Sequence, residues 1–120
     1  MGEPFSVAAR IRSFGHAFAG LRTLLTEQHN ARIHLAATIV VLVAGLYFEV
    51  SRGDWLVLLL TIALVWLAEA LNSALEYLCD AAVPEHHPLI GKAKDVAAAG
   101  VLLCAGIAVV VAVLVFAPYL

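Results

Sequence analysis

Charged residues are scarce in this chain of 120 residues. Lys, Arg, Asp and Glu together make up 13% of the sequence and hydrophobic residues 63%, against about 25% and about 45–50% in ordinary soluble domains. A soluble fold of this length leaves too much surface exposed to hide so many apolar side chains from water. The composition therefore excludes an ordinary soluble domain and predicts a single membrane domain over residues 1–120.

Several motifs are also absent. The two Cys residues have no CxxC spacing, which argues against a disulfide framework and against a zinc site. Neither a GxxxxGK[ST] loop nor the protein-kinase signature set occurs, so any nucleotide would have to be bound in another way. The net charge of −2, without a cluster of excess Lys and Arg, argues against nucleic acid as a partner.

Three apolar stretches predict transmembrane helices at about 32–50, 54–81 and 93–119. The last contains 25 uncharged residues, 96–120, whereas each of the others has a run of 14, and about 20 apolar residues cross a bilayer. In the first span, His34 and Glu49 are expected to reach the two interfaces. Residues 51–54 are expected to form a tight turn, and the prolines of residues 83–88 to interrupt the helices. Because these connections are short, the three helices should be antiparallel neighbours in an all-α membrane protein.

Residues 5–28 predict an additional, amphipathic helix. Arg10, Arg12 and His16 lie outside a stripe of apolar residues with helical spacing, which consists of Ile11, Phe14, Phe18, Leu21 and Leu25. This pattern is typical of a helix on the membrane surface, and an ordinary helix packed on protein is the alternative. Six of the seven Lys and Arg residues fall on one side of the predicted spans and Arg52 alone on the other. The protein is therefore expected to be a multi-pass protein of the cell membrane with a cytosolic N-terminus.

One face of the second predicted span carries five polar residues, which we call the polar stripe: Glu69, Asn72, Ser73, Glu76 and Asp80. At 100° per residue they fall within about 100° of the helix circumference. A carboxylate in hydrocarbon costs at least about 3 kcal/mol, so such residues usually have a function. The stripe predicts a cation site open to the cytosol, with the deepest carboxylate, Glu69, as a general base for a hydroxyl. The alternative is that Asn72 and Ser73 only join helices and that Glu76 and Asp80 are solvated.

Lys92, Lys94 and Asp95 lie at the same cytosolic face, where the third predicted span begins. Lysines there could hold phosphate while carboxylates hold Mg²⁺, which is what phosphoryl transfer requires, or they could simply anchor the helix. Three classes of function are therefore open: a membrane kinase, a small cation- or proton-coupled transporter, and a structural assembly subunit that packs through the small residues 97–100. A transporter needs polar groups that continue to the outer side, and the sequence has few of them. This favours the kinase.

Several segments of the sequence resemble a known family. Glu69-Ala-Leu-Asn72-Ser-Ala-Leu-Glu76, then Asp80, then His87-Pro-Leu-Ile-Gly-Lys-Ala-Lys94-Asp95 are similar to the prokaryotic diacylglycerol kinase family, and Asn30-Ala-Arg32-Ile-His34 extends the resemblance over nearly the whole chain. The resemblance implies a homotrimer of three-helix subunits with surface helices. It also implies a kinase of phospholipid or lipid-carrier metabolism that phosphorylates a lipid alcohol, undecaprenol or diacylglycerol, with MgATP at the cytosolic interface.

The resemblance also implies roles for individual residues. Glu69 would be the catalytic base and would contact the lipid together with Ala98, while Asn72 would orient the catalytic site. Glu76 and Gln28 would hold Mg²⁺. The nucleotide would be bound by His16, Gln28, Glu76, Glu85, His86, His87, Lys94 and Asp95.

One position departs from the family pattern. Many relatives have a glutamate where this chain has Gln28, and Glu27 lies beside it. Either the Gln28 amide binds the metal, or Glu27 takes the place of the missing carboxylate.

The polar stripe also predicts self-association. Lipid cannot satisfy carboxylates or an amide that face outward, so a neighbouring subunit is expected to cover this face and to complete each site. The small residues 97–100 would allow close approach of helices on the cytosolic side.

Overall fold

The computed structural model describes residue 2 and residues 4–120, so residues 1 and 3 of the expected domain lie outside the described part. The described residues form four α-helices: α1 (Val7–Glu27), α2 (His29–Tyr47), α3 (Arg52–Ala82) and α4 (Pro88–Phe116), and a 3₁₀ turn, Ala117–Tyr119, follows α4. Within this part of the chain, α2, α3 and α4 with its 3₁₀ turn are long and apolar enough to cross a membrane. The all-helical class and the three candidate spans are thereby confirmed.

A sharp elbow separates α1 from α2. Gln28 has extended backbone angles (φ −106°, ψ 114°) and interrupts the helix. The Arg32 side chain donates hydrogen bonds to the carbonyl oxygens of Leu25 (2.8 Å) and Thr26 (2.5 Å). These carbonyls lie in the last turn of α1, where helical partners run out. Arg32 therefore stabilises the elbow, which brings Glu27 and Gln28 to α3.

The turn between α2 and α3 is a Schellman motif. The Val50 N–H donates to the Gly45 carbonyl (3.2 Å) and the Glu49 N–H to the Leu46 carbonyl (3.3 Å). Glu49 occupies the left-handed position (φ +51°), where glycine is the usual residue. The motif ends α2 at Tyr47, so Glu49 lies in the turn and not at the end of the helix.

The prediction of a tight turn at residues 51–54 is wrong, because this segment begins α3. The Ser51 hydroxyl accepts a hydrogen bond from the Asp54 N–H (3.1 Å), which is the usual role of an N-cap serine. Helix α4 likewise begins at Pro88, before the expected position 93. Proline at the first helical position loses no hydrogen bond, and Nδ1 of His87 accepts from the Leu89 N–H (3.1 Å).

The ends of the helices opposite the polar stripe form a small apolar core around Val50, Leu58 and Val115. The Phe48 ring packs against the rings of Phe116 and Tyr119, with 6.0 Å between centroids in each pair. Aromatic pairs at this separation add to the stabilisation from apolar burial. This core joins the C-terminal end of α2, the N-terminal end of α3 and the C-terminal end of α4, and leaves the stripe at the other end of the bundle.

Much apolar surface remains exposed on the chain taken alone. On α1, the side chains of Ile11, Phe14 and Phe18 are each about two-thirds exposed, and large aliphatic residues are exposed along α2, α3 and α4. A contiguous apolar surface of this kind needs lipid or another protein against it.

Candidate functional site

The polar stripe lies on one uninterrupted helix, and its burial decreases towards the C-terminal end of α3. Glu69 and Ser73 are 1% exposed and Asn72 is 7% exposed, whereas Glu76 is half-buried and Asp80 is exposed. The chain itself therefore covers the deep half of the stripe, and the half with Glu76 and Asp80 remains open for ligands. That a neighbouring subunit covers this open half and completes each site stays a prediction.

Glu69 is held from two sides. Its Oε1 accepts a hydrogen bond from the Ser73 hydroxyl (3.3 Å), and its Oε2 lies 3.4 Å from Nε2 of His34 on α2. The second contact is close enough for an ion pair but lacks the alignment of a hydrogen bond. Accordingly, His34 Nε2, Glu69 Oε2 and Asn72 Oδ1 have no hydrogen-bond partner among the described residues. Each such buried atom costs about 1–3 kcal/mol, so the three define a place for a polar ligand group.

The position of His34 differs from the sequence expectation. The imidazole turns inward to Glu69 and does not extend to the interface, since a buried carboxylate attracts a group that can carry a proton. The single sequence signal for this role was the place of His34 in the Asn30-x-Arg32-x-His34 pattern. Sequence reasoning therefore missed His34 as a member of the site.

A second contact between α2 and α3 lies one turn from the His34 imidazole. The Thr38 hydroxyl donates to the His34 carbonyl (2.7 Å) and accepts from Nε1 of Trp66 (3.0 Å). The Trp66 ring also meets the imidazole edge to face, with 6.4 Å between centroids. These contacts hold α2 and α3 in register one turn deeper than the His34–Glu69 pair.

An apolar groove leads away from His34. It has a volume of about 620 Å³, lies between α2, α3 and α4, and is lined at one end by His34 and Thr38 and at the other by Phe116 and Leu120. Nearly all of the remaining lining residues are Ala, Val, Ile or Leu. The groove can accommodate a hydrocarbon chain, and Glu69 does not line it but lies 3.4 Å behind His34 at one end.

The elbow between α1 and α2 contacts α3 next to Glu76. Gln28 Nε2 donates to the Tyr77 hydroxyl (3.0 Å), which in turn donates to Glu27 Oε1 (2.9 Å). None of the side-chain hydrogen bonds found among the described residues uses the Gln28 side-chain oxygen, Oε1, so this oxygen is free to bind a cation. Tyr77 belongs to none of the predicted sequence patterns, and nothing in the sequence pointed to it.

Near the C-terminal end of α3, Lys94 Nζ lies 2.5 Å from Asp80 Oδ1 and joins α4 to α3. Helices α3 and α4 are antiparallel. One helical turn from the Lys94–Asp80 pair, Ala98 on α4 therefore lies at the same height as Glu76 on α3.

Of the remaining predicted nucleotide residues, Glu85, His86, His87 and Asp95 lie in the loop between α3 and α4 and in the first turns of α4, whereas His16 lies in the middle of α1. His16, Glu85, His86 and Asp95 are exposed, and His87 uses Nδ1 to cap α4. Among the described residues, no three His, Cys, Asp or Glu side chains converge on one point. Glu76 and the Gln28 oxygen fit Mg²⁺, which is usually held by one or two protein oxygens together with water and substrate phosphates.

Comparison with known proteins identifies the family. A sequence profile of the family Prokaryotic diacylglycerol kinase matches residues 15–116. The chain is 36% identical to the undecaprenol kinase of Bacillus subtilis over 109 residues, which are 91% of this chain and 89% of that protein. It is 32% identical to the diacylglycerol kinase of Escherichia coli K12 over 100 residues, 83% of this chain and 82% of that protein.

A third relative is the diacylglycerol kinase of Synechocystis, 40% identical over 100 residues, which are 82% of this chain and 57% of that protein. The chain belongs to the prokaryotic diacylglycerol kinase family. It is an enzyme, a lipid kinase, and therefore a phosphotransferase; the transporter alternative is not favoured.

Proposed function

We propose that this enzyme transfers the γ-phosphoryl group of MgATP to the hydroxyl of a membrane lipid alcohol at the cytosolic interface. The lipid is undecaprenol or diacylglycerol, and undecaprenol is the first to test, because the relative named undecaprenol kinase aligns over nearly the full length of both chains. The observation that carries the proposal is the buried Glu69 carboxylate beside an apolar groove. In this arrangement a lipid tail enters the groove while its hydroxyl meets the free Oε2.

Glu69 accepts the hydroxyl proton as the oxygen attacks phosphorus. Ser73 holds its other oxygen and thus aims Oε2 at the substrate. The free Oδ1 of Asn72 accepts a hydrogen bond from a donor on the substrate or from a bound water. Ala98, level with Glu76, leaves room for the lipid head between α3 and α4.

The nucleotide lies at the open half of the stripe. Glu76 and the Gln28 oxygen hold Mg²⁺, which neutralises phosphate charge when it is bound. Lys94 reaches the phosphates by exchanging part of its contact with Asp80. The other predicted nucleotide contacts come from Asp95, the exposed His16, and the loop residues Glu85, His86 and His87, the last through Nε2, since Nδ1 caps α4.

The membrane arrangement completes the proposal. The N-terminus and the open half of the stripe lie on the cytosolic side, and α1 rests on the membrane surface with its exposed apolar residues in the lipid. Three subunits associate through the exposed apolar surfaces of the spans.

The direct test uses purified protein in detergent with ATP, Mg²⁺ and one lipid at a time, with mass spectrometry of the product. Phosphorylated undecaprenol or phosphatidic acid from diacylglycerol is expected, and Glu69→Gln serves as the inactive control. If no lipid alcohol is phosphorylated under conditions in which the protein is folded, the proposed function is rejected.

The groove is tested separately by Ala112→Phe, since Ala112 lines it. The larger side chain should raise the lipid KM by about 10-fold, because a hydrophobic pocket that loses room for one methylene already loses about this much. The KM for MgATP should stay unchanged. Val110→Phe, on the opposite face of α4, is the matched control. Equal effects of the two substitutions would argue against the groove as the lipid site.

A further inference from the structure

His34 is a titratable side chain on α2 that the proposed transfer does not yet use. Its side chain is 12% exposed, and its Nε2 faces the one oxygen of Glu69 that Ser73 does not hold. Both of these atoms lack a hydrogen-bond partner within the described part of the chain. A carboxylate that accepts a proton in a nearly dry site must release it again before the next turnover. The atom best placed to receive it is His34 Nε2.

The charged groups near this pair are engaged elsewhere. On α2, the Arg32 guanidinium donates to the Leu25 and Thr26 carbonyls, and on α1 the Glu27 carboxylate accepts from Tyr77. On α4, Lys94 is paired with Asp80 near the cytosolic end, and the α4 residues that line the groove are apolar. On α3, Glu76 lies two turns from Glu69 towards the cytosol. Before substrate binds, His34 is therefore the side chain that can exchange a proton with Glu69.

We propose that His34 is a positioning residue that orients the Glu69 carboxylate and accepts its proton after each transfer; the proposal rests on the proposed kinase function. The lipid O–H bond breaks as the new O–P bond forms, and the proton passes to Glu69 Oε2. The bond between the γ-phosphorus and the bridging oxygen breaks, and its electron pair leaves with ADP. The proton then moves to the lone pair of His34 Nε2, and the imidazolium releases it to water.

The separation of 3.4 Å between Nε2 and Oε2 suits this role. Hydrogen bonds at catalytic groups are often long before substrate binds and shorten in the complex. The hydrogen bond from Trp66 to Thr38 ties α2 to α3 one turn from His34, and the Trp66 ring lies edge to face with the imidazole, so a small approach of α2 to α3 is sufficient.

The test compares His34→Gln, which keeps a hydrogen-bonding group but cannot take up a proton at neutral pH, with wild-type protein. We expect kcat to fall by about 10- to 100-fold, the loss found when a residue that orients a metal-binding side chain is removed. The KM for MgATP should stay unchanged. The loss should shrink as the pH is raised, because hydroxide can then take the proton from Glu69. Added imidazole should partly restore His34→Ala but not Glu69→Gln. His29→Gln, an exposed histidine at the start of α2, is the matched control.

Two further measurements keep the result decisive. Thermal unfolding shows whether the variants fold. Thr38→Val keeps the imidazole but removes the hydrogen bond from Trp66 that ties α2 to α3 beside it, and it should give a smaller fall in kcat. Independently of turnover, ¹⁵N NMR signals of the His34 ring should change in Glu69→Gln. Wild-type kcat in His34→Gln at every pH, or unchanged ¹⁵N signals, would overturn the proposal. Absence of lipid phosphorylation by the wild-type protein would instead reject the kinase function, and the ¹⁵N signals would still decide whether the two side chains are coupled.

Discussion

The Tyr77 hydroxyl lies 3.0 Å from Nε2 of Gln28 and 2.9 Å from Oε1 of Glu27, and so joins the elbow between α1 and α2 to α3. This contact bears on which of the two elbow residues replaces the usual glutamate of the family. The Glu27 carboxylate accepts a hydrogen bond from this hydroxyl, whereas the Gln28 side chain uses only Nε2. Gln28, whose side-chain oxygen is free at the elbow, is therefore the better candidate for the metal.

The first prediction follows from this contact. Gln28→Ala should raise the Mg²⁺ concentration needed for half-maximal activity by about 10-fold, in the range found for disturbed metal sites, and Gln28→Glu should lower it because a carboxylate binds Mg²⁺ more strongly. Glu27→Gln should have the smaller effect. Tyr77→Phe should act in the same direction as Gln28→Ala, since it frees the elbow. A larger effect of Glu27→Gln than of Gln28→Ala would assign the metal to Glu27.

The helices and the polar stripe follow from the sequence for simple physical reasons. Long apolar segments form helices in lipid because every backbone polar group must be satisfied locally, and the helical period of 3.6 residues by itself places Glu69, Asn72 and Glu76 on one face. Helix ends were less predictable. Pro88 has the character of a helix breaker but begins α4, and the end of α2 depends on a non-glycine residue with positive φ, Glu49.

Contacts between helices were not predictable from periodicity. His34, Thr38 and Tyr77 reach their partners because of the rotation and register of α2 and α3, which depend on packing at the distant Gly45–Trp55 contact. A Cβ at position 45 would lie 2.6 Å from the Trp55 ring. The amino-acid sequence of one protein does not indicate which residues form such pairs.

The second prediction concerns the base. Glu69→Gln should lower kcat by about 10²–10⁴-fold, the contribution of general-base catalysis, while nucleotide binding persists. The amide keeps the shape of the side chain and can still contact Ser73, but it cannot take the hydroxyl proton. Turnover of labelled ATP and equilibrium binding of an ATP analogue measure the two properties separately. Turnover equal to that of the wild type would remove Glu69 from the mechanism.

The third prediction concerns Glu76. Glu76→Gln should weaken Mg²⁺-dependent ATP binding more than it affects the lipid KM, because the half-buried carboxylate is lost as an anionic ligand. Higher Mg²⁺ should partly restore activity. Glu49→Gln, at the opposite end of the bundle, is the control. An unchanged Mg²⁺ dependence would mean that Glu76 is simply a solvated residue of α3.

The fourth prediction concerns stability. Glu49→Gly should raise the free energy of unfolding by about 1 kcal/mol, because the left-handed conformation strains any residue with a Cβ. The increase can be measured by titration of the detergent-solubilised protein with a denaturing detergent. Glu85→Gly, in a loop without positive φ, should not stabilise the protein. Equal changes in both variants would show that backbone strain at Glu49 contributes nothing.

The last prediction concerns the subunits. Within one chain, Lys94 pairs with Asp80 and His34 lies beside Glu69, but Glu69 and Asp80 are about 16 Å apart along α3. The lysine that serves a given Glu69 is therefore expected to come from a neighbouring subunit, and Glu69→Gln and Lys94→Ala subunits, each inactive alone, should recover part of the activity when mixed. Crosslinking and tagged co-purification should show that they form trimers together, because the exposed aliphatic surface of three spans favours close helix packing in the membrane. Absence of activity in demonstrably mixed trimers would mean that each site is built within one chain, and a monomer as active as the assembly would remove the trimer from the mechanism.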